Sequence, residues 1–424
     1  MITASIITIG DELLIGQVID TNSAFIAQEM NKAGFAIKRR VAVGDTKEEI
    51  VAALDEEKNH ADIILITGGL GPTADDITKP LLCEYFGGKL IVNEEALANV
   101  KHLFVNIFKR PLQSLTERNI KQAEVPDVCT VIQNKRGTAP GMLFTQTVNG
   151  REKTFISMPG VPHEMMGMIT DDVVPILLKK YNASNIAHRT LLTAGIGESA
   201  IADLIKDFEE GLPANIKLAY LPSYGMVRLR LTSVSDNAGQ NEKILDERFE
   251  TLQELVKEYV VTNKDEPLEK ALGNLLKSRG KKMATAESCT GGYIAHLITA
   301  IAGSSDYFDG SVVSYSYRAK EDLLQVDKAE LETHGAVSEV IVKQMATGLL
   351  KNIGSDYAIA VSGIMGPGGG MPDKPVGTVW VCVGRLGKLE AHKFNFRFDR
   401  ERNIRMTALN ALNMLRKFVL NDEV

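Results

Sequence analysis

KKMATAESCTGGYIAHLITAIAG, residues 281–303, decides how the last third of the chain folds. KKMATA reads as a strand and YIAHLITAIAG as a helix, so the chain turns from one to the other inside ESCTGG. Ser288 and Cys289 then stand side by side at the mouth of a glycine pair. The N–H groups of Thr290, Gly291 and Gly292 open a helix without intrahelical partners and could face developing negative charge, as oxyanion donors do. The plainer reading of the same residues is a tight turn, with Ser288 or Thr290 as the helix cap.

Working outward, residues 268–424 alternate strands and helices, with apolar strands at DYAIAVS (356–362) and TVWVCVG (378–384) and a final helix from about Arg400. The amino-terminal part does the same. SIITI (5–9), FAIKRRVAV (35–43) and DIILIT (62–67) read as strands. Asp20 or Thr21 can cap one intervening helix, and Asp45 or Thr46 the next. That succession implies parallel sheets with helices on both faces. Between the two, residues 184–259 read as strand, helix, two strands and a long charged helix, a small α+β module. VVTNKDEP (260–267) is polar, ends in proline and reads as a linker. The expected organisation is an α/β multidomain chain with domains at 1–183, 184–259 and 260–424.

Composition narrows the function classes. Of 424 residues, 44% are hydrophobic and 24% charged, as in average globular proteins, and no apolar run approaches the roughly 18 residues of a membrane span. The opening MITASIITIG lacks a basic flank and shows no leader peptide. Cys83, Cys129, Cys289 and Cys382 lie far apart without a CxxC pair, which argues against a disulfide framework and a structural zinc site and fits a reducing cytoplasm. A net charge of -6 gives no general attraction to nucleic acid. The middle module opposes it further, with 8 Lys and Arg against 12 Asp and Glu over 186–260 and no GxxG clamp, since GIGE (195–198) ends wrongly. A structural or dimerising role is expected there.

A nucleophilic serine needs a base, and the seven histidines offer no obvious one: His296 lies on the following helix and His334 in a loop. SVVSYSYRAKEDLL (311–324) brings Tyr315, Ser316 and Lys320 to a strand end. A lysine there is ordinarily a solvated helix residue, and it serves as base only if burial lowers its pKa from about 10.4 toward neutrality. In the amino-terminal part, GDELLIGQVIDTN (10–22) and TGGLGPTADDIT (67–78) follow the first and third strands, a strand, glycine loop and helix arrangement that suits anions. Asp75 and Asp76 either cap the next helix or hold a hard cation such as Mg²⁺. RGTAPGM (136–142) and SMPGVPHEM (157–165) add two more loops, in which His163 reads as a helix-start residue.

Together these residues resemble the CinA family. TAESCTGG (285–292), YSYRAK (315–320), HGAVSE (334–339), SGIMGPGGG (362–370) and KPVGTVW (374–380) are similar, in order, to its nicotinamide mononucleotide deamidase domain. The resemblance implies a serine amidohydrolase in which Ser288 attacks the carboxamide, with Lys320 as base and Tyr315 as proton relay. It implies that Thr290, Gly291 and Gly292 hold the oxyanion and that Ser362, Gly363 and Gly366 line the nucleotide site. Arg400 and Arg405 are the natural phosphate partners. Cys289 stands as the rival nucleophile. Members commonly read YSNEAK and GDR where this chain has YSYRAK and FDR, so it departs at Tyr317, Arg318 and Phe398.

The amino-terminal part is similar to the family's molybdopterin-binding-like domain. That implies a divalent-metal-dependent (Mg, Mn or Co) ADP-ribose pyrophosphatase giving AMP and ribose 5-phosphate. Gly68, Gly69, Asp11, Asn22, Gly137 and Pro140 would line its site, with Asp75 and Asp76 at the metal. A pterin nucleotide is the second candidate ligand. The middle module resembles the family's KH-like domain. The family implies a cytoplasmic homodimer that handles small nucleotides. Two alternatives stand beside it: a non-catalytic nucleotide-sensing scaffold in competence or DNA repair, and a deamidase whose first domain only binds.

Overall fold

A computed structural model describes residues 1–73, 76–183, 185–235 and 238–422. By contact the chain divides into two compact units: Met1–Ala187 with Ser233–Asn241, and His188–Thr232 with Glu242–Val424. Among the described residues no helix is long and apolar enough to cross a membrane.

The first unit is built on β1 (Thr3–Ile9), β2 (Ala36–Val43), β3 (Ile63–Thr67), β6 (Thr130–Ile132), β7 (Gly141–Val148) and β8 (Arg151–Met158), in the order β2-β1-β3-β8-β7-β6. β4 (Leu90–Val92) and β5 (Glu124–Pro126) form a separate antiparallel pair. β1, β2, β3 and β8 are parallel. The helices Thr21–Lys32 and Lys47–His60 serve as crossovers. β7 and β8 are antiparallel, joined at Asn149–Gly150 with φ of 50° and 74°, the positive-φ pair that a tight hairpin demands. Alternation along β1 and β3 sends Ile6 and Leu65 to one face, against Ile26, Met30 and Met165, and Ile7, Ile64 and Ile66 to the other, against Ile50, Leu54 and Leu82. A strand buried on both faces must be apolar throughout, which is why SIITI and DIILIT read so plainly. Asp20 caps the first helix by accepting from Ser23 N (2.9 Å), and Thr46 caps the second by accepting from Glu49 N (3.4 Å).

The second unit holds two sheets. β9 (Asn185–Ala194), β10 (Ile216–Ser223), β11 (Met226–Ser235) and β12 (Val260–Thr262) lie in the order β10-β11-β9-β12. The stretch expected as a linker therefore begins as an edge strand, with Val260–Thr262 antiparallel to β9. The other sheet has β13 (Met283–Glu287), β14 (Phe308–Val313), β15 (Tyr357–Gly363), β16 (Thr378–Arg385) and β17 (Lys388–Asn395), in the order β14-β13-β15-β16-β17. β13 runs parallel to β14 and β15, while β16 is antiparallel to both its neighbours, β15 and β17, so the sheet is mixed where a parallel one was expected. One face packs the Glu339–Ile353 helix through Ile341, Met345 and Leu349 on Ala284, Ala358 and Ala360. The opposite face packs Leu272, Leu276, Leu412 and Leu415 on Ile359, Val361 and Val381, and Leu192 of β9 joins this core.

Gly348 lets the Glu339–Ile353 helix close on the Tyr317–Leu324 helix that carries Lys320: a Cβ there would stand 1.7 Å from Leu324 O, a backbone atom. Gly348→Ala is expected to destabilise the second unit by about 2 kcal/mol or more through overpacking, read as an earlier transition in a thermal or urea melt.

Candidate active site

The carboxyl-terminal site forms where parallel strands end. β13 stops at Glu287, and Ser288 N–H donates to Val361 O of β15 (3.1 Å), which holds the serine against the sheet edge. Gly291 and Gly292 then take φ of 62° and 98° before the Tyr293–Thr299 helix, a left-handed pair that side-chain-bearing residues resist. On the neighbouring strand Ser314 N–H donates to Glu287 O (2.8 Å), and Ser316 caps the Tyr317–Leu324 helix by accepting from Ala319 N (3.1 Å). Lys320 sits one turn in, and its side chain returns over the end of β13.

Lys320 is 1% exposed. Its Nζ lies 3.0 Å from Ser288 Oγ, 2.7 Å from Ser314 O and 3.3 Å from Tyr315 O. Burial lowers its pKa to about 8. The reading of this residue as a solvated helix lysine is thereby corrected. The adjacent thiol moves the other way: burial, reinforced by the charge of Glu287, pushes Cys289 up to about 12. Neither His296 nor His334 lines the cleft.

The cleft, of about 210 Å³, is lined by Ser288, Cys289, Tyr315, Lys320, Ser362 and Arg400. Gly363 and Met365 from the β15 end and Ala336 and Val337 from HGAVSE complete it. Arg400, the first residue of the last helix, donates to Gly366 O (2.8 Å) and to Tyr315 OH (3.4 Å). Tyr315 is 64% exposed and leans on Arg400, not between Ser288 and Lys320.

Several expected partners are occupied elsewhere. Gly291 N–H donates to Ser288 O (3.2 Å) and Gly292 N–H to Glu287 Oε2 (3.0 Å), so these two of the three N–H groups expected to hold an oxyanion instead close the turn, which Thr290 Oγ1 also ties to Glu287 Oε2 (2.7 Å). Arg405 does not line the cleft; it donates to Tyr224 OH (2.9 Å) and Glu401 (2.7 Å). Glu287, fully buried beneath these contacts, was not singled out from the sequence. Its place in ESCTGG was visible, but its burial was not.

The amino-terminal unit has its own cleft, of about 280 Å³, at the ends of β1 and β3. Gly68, Gly69, Asn22 and Asp76 line it, as do Glu12, Asp20 and Asp45, and among the described residues no lysine or arginine does. Asn22 Nδ2 donates to Gly160 O (2.7 Å), while its buried Oδ1 has no partner among the described residues. Asp11 does not line the cleft but braces it, its N–H donating to Asp45 Oδ2 (3.1 Å) and its Oδ1 accepting from Asp45 N (3.2 Å). Asp76 Oδ2 accepts from Thr73 N (2.9 Å), a turn-closing contact. Asp75 lies outside the described residues. Gly137 and Pro140 do not line the cleft; Gly137 O accepts from Asn99 and its Cα faces the Glu164 carboxylate. His163 is exposed at the start of the Pro162–Met168 helix. Among the described residues no group of three or more His, Cys, Asp or Glu side chains is gathered to hold a metal ion.

Comparison with known proteins bears on all three parts. Residues 5–179 match the family described as "Probable molybdopterin binding domain", 188–262 the "Damage-inducible protein CinA KH domain" and 265–419 the "CinA C-terminal domain". A "CinA-like protein" of Cytophaga hutchinsonii is 44% identical over 98% of both chains, and one of Flavobacterium psychrophilum is 44% identical over 99% of both. A crystal structure of a CinA superfamily protein from Klebsiella pneumoniae is 38% identical, covering 36% of this chain and 94% of its own, with a TM-score of 0.35. With a molybdopterin-binding-type first domain, a KH-type middle and a CinA carboxyl-terminal domain matched in order, this chain belongs to the CinA family.

Proposed function

We propose that the carboxyl-terminal domain deamidates nicotinamide mononucleotide to nicotinate mononucleotide and ammonia, with Ser288 as nucleophile. The observation that carries this reading is the buried contact of Lys320 Nζ with Ser288 Oγ at 3.0 Å, with no carboxylate pairing the amine among the described residues. A neutral amine has two N–H groups and one lone pair. The carbonyls of Ser314 and Tyr315 accept the two N–H groups, which leaves the lone pair for the Ser288 hydroxyl at 3.0 Å. With a pKa near 8, roughly one lysine in ten is in that form at pH 7, against about one in 2,500 at the ordinary value.

The steps follow from that geometry. Lys320 takes the hydroxyl proton as Ser288 Oγ adds to the carboxamide carbon; it returns the proton to the nitrogen as the C–N bond breaks and ammonia leaves. Water, giving a proton to the same amine, then adds to the ester carbon; the bond to Oγ breaks as the amine returns that proton to Oγ, and the acid released loses its remaining proton to solvent to leave as the carboxylate. Arg400 supplies a permanent positive charge on the cleft wall for the nucleotide phosphate.

The amino-terminal cleft supports hydrolysis of ADP-ribose to AMP and ribose 5-phosphate. Among the described residues four carboxylates and no basic side chain line it, so a diphosphate would be repelled unless a cation neutralises it. All-oxygen donors fit a hard divalent ion that keeps its remaining ligands from substrate phosphate and water, and Asp76 with Asp20 or Asp45 would hold it. Such an ion supplies charge neutralisation and an acidified water. Asn22 Oδ1, unpaired and buried at this cleft, suits a ribose hydroxyl. We further propose that the chain works as a cytoplasmic homodimer.

Ser288→Ala and Lys320→Met are each expected to lower ammonia release by roughly 10³-fold or more, while Cys289→Ala stays within about threefold of the parent. Loss in Cys289→Ala with retention in Ser288→Ala would transfer the attack to the thiol. Because the base must be uncharged, kcat/KM should climb with pH through about 8 and level off above it; a flat profile from pH 6 to 9 would rule out Lys320 as base. AMP production from ADP-ribose should stop on addition of a chelator and return with Mg²⁺ or Mn²⁺.

A further inference from the structure

Glu287 ends β13 immediately before Ser288, and its side chain is wholly buried. No cation pairs with it among the described residues. Its partners are five donors: Thr285 Oγ1 (3.2 Å) and Ala295 N (2.8 Å) on Oε1, and Thr290 Oγ1 (2.7 Å), Gly292 N (3.0 Å) and Ile294 N (3.1 Å) on Oε2. Five donors and no acceptor describe a carboxylate. It takes the N–H groups of Gly292, Ile294 and Ala295 at the start of the helix that follows the nucleophile, and its own backbone carbonyl accepts Ser314 N–H (2.8 Å), from the segment whose carbonyls hold Lys320.

We propose that Glu287 is a positioning residue of the deamidation site, folding ESCTGG so that the Ser288 hydroxyl, and not the neighbouring Cys289 thiol, meets Lys320. The proposal rests on the serine-amidohydrolase reading above. Serine and cysteine are adjacent in the chain and line one cleft with the same amine, so proximity alone does not select between them. Two features of Glu287 do. By taking the N–H groups of Gly292, Ile294 and Ala295, it removes the exposed helix terminus that would otherwise stabilise a thiolate. Its negative charge beside the thiol opposes ionisation further, in the same direction as burial. Meanwhile the five bonds fix the strand end from which Ser288 projects.

The test uses the full chain. Glu287→Gln keeps the volume but removes the charge and replaces one acceptor oxygen with a donor. Its kcat for nicotinamide mononucleotide is expected to fall roughly 10- to 100-fold with KM within about threefold, since the Arg400 wall is untouched. Alkylation of Cys289 by iodoacetamide at pH 8, followed by peptide mass, is expected to quicken at least tenfold, and this modification disappears in the Glu287→Gln/Cys289→Ala double variant. Glu287→Asp, one methylene shorter with its charge intact, should lose kcat yet keep the thiol slow. A folded Glu287→Gln protein with parental kcat and an unreactive Cys289 overturns the proposal, as does equal loss of kcat and substrate binding with no change at the thiol. If Glu287→Gln does not fold, Thr290→Val removes one donor to the carboxylate and should shift kcat and alkylation the same way by several-fold; no change in either overturns it. The thiol readout needs no substrate. Absence of deamidation in the parent chain therefore defeats the amidohydrolase reading separately from the thiol result.

Discussion

A lysine amine taken out of water against a serine hydroxyl is the contact on which the carboxyl-terminal half depends. Burying an ammonium without a counter-ion is costly, and no carboxylate pairs with Lys320 among the described residues. The fold offers only backbone carbonyls, from Ser314 and Tyr315, and these suit a neutral amine as well as a charged one. Everything around the pair serves to keep it dry and in register. Ser314 is tied to β13 through Glu287 O, Ser288 to β15 through Val361 O, and the lysine's helix is pressed home by the close passage at Gly348.

The two clefts share a location and differ in charge. Both lie beyond the carboxyl ends of parallel strands, where loops converge and backbone groups are free. The carboxyl-terminal one carries Arg400 and Lys320. The amino-terminal one presents Glu12, Asp20, Asp45 and Asp76. The same position at the ends of parallel strands thus carries basic side chains in one cleft and carboxylates in the other.

How much of this was legible in the sequence follows from what each residue's neighbours reveal. β1, β3, β15 and β16 read correctly because strands buried on both faces must be apolar throughout. β17 escaped notice: KLEAHKFN is an edge strand with one solvated face and a polar composition. β12, Val-Val-Thr, was read as linker because it is only three residues long and runs straight into the polar NKDEP. Helix caps at Asp20 and Thr46 were visible because capping is local. Lys320 was misleading because burial is a tertiary property and a lysine in a helix is ordinarily solvated. The Gly292 N–H looked free because its acceptor, the Glu287 side chain, gives no sign in sequence that it folds inward. Arg405 shows a geometric limit: five residues past Arg400 is about 140° around a helix, so the two cannot both face one cleft.

The departures from the family pattern gain meaning from their contacts. Arg318 is exposed and paired with Asp322 (3.0 Å), away from the chemistry. Phe398 lies under the Arg402 guanidinium, 3.8 Å from the ring centroid, at the entry to the last helix. Tyr317 is different. Its hydroxyl accepts Ala336 N–H (3.3 Å), and Ala336 lines the carboxyl-terminal cleft. Tyr317 therefore braces the HGAVSE loop from the first position of the short helix that also carries Lys320. Three residues apart, Tyr317 and Lys320 share one side of that helix, so a change at Tyr317 acts on the cleft wall at Ala336 one turn from the Ser288 and Lys320 pair, on a helix that the close passage at Gly348 holds in place.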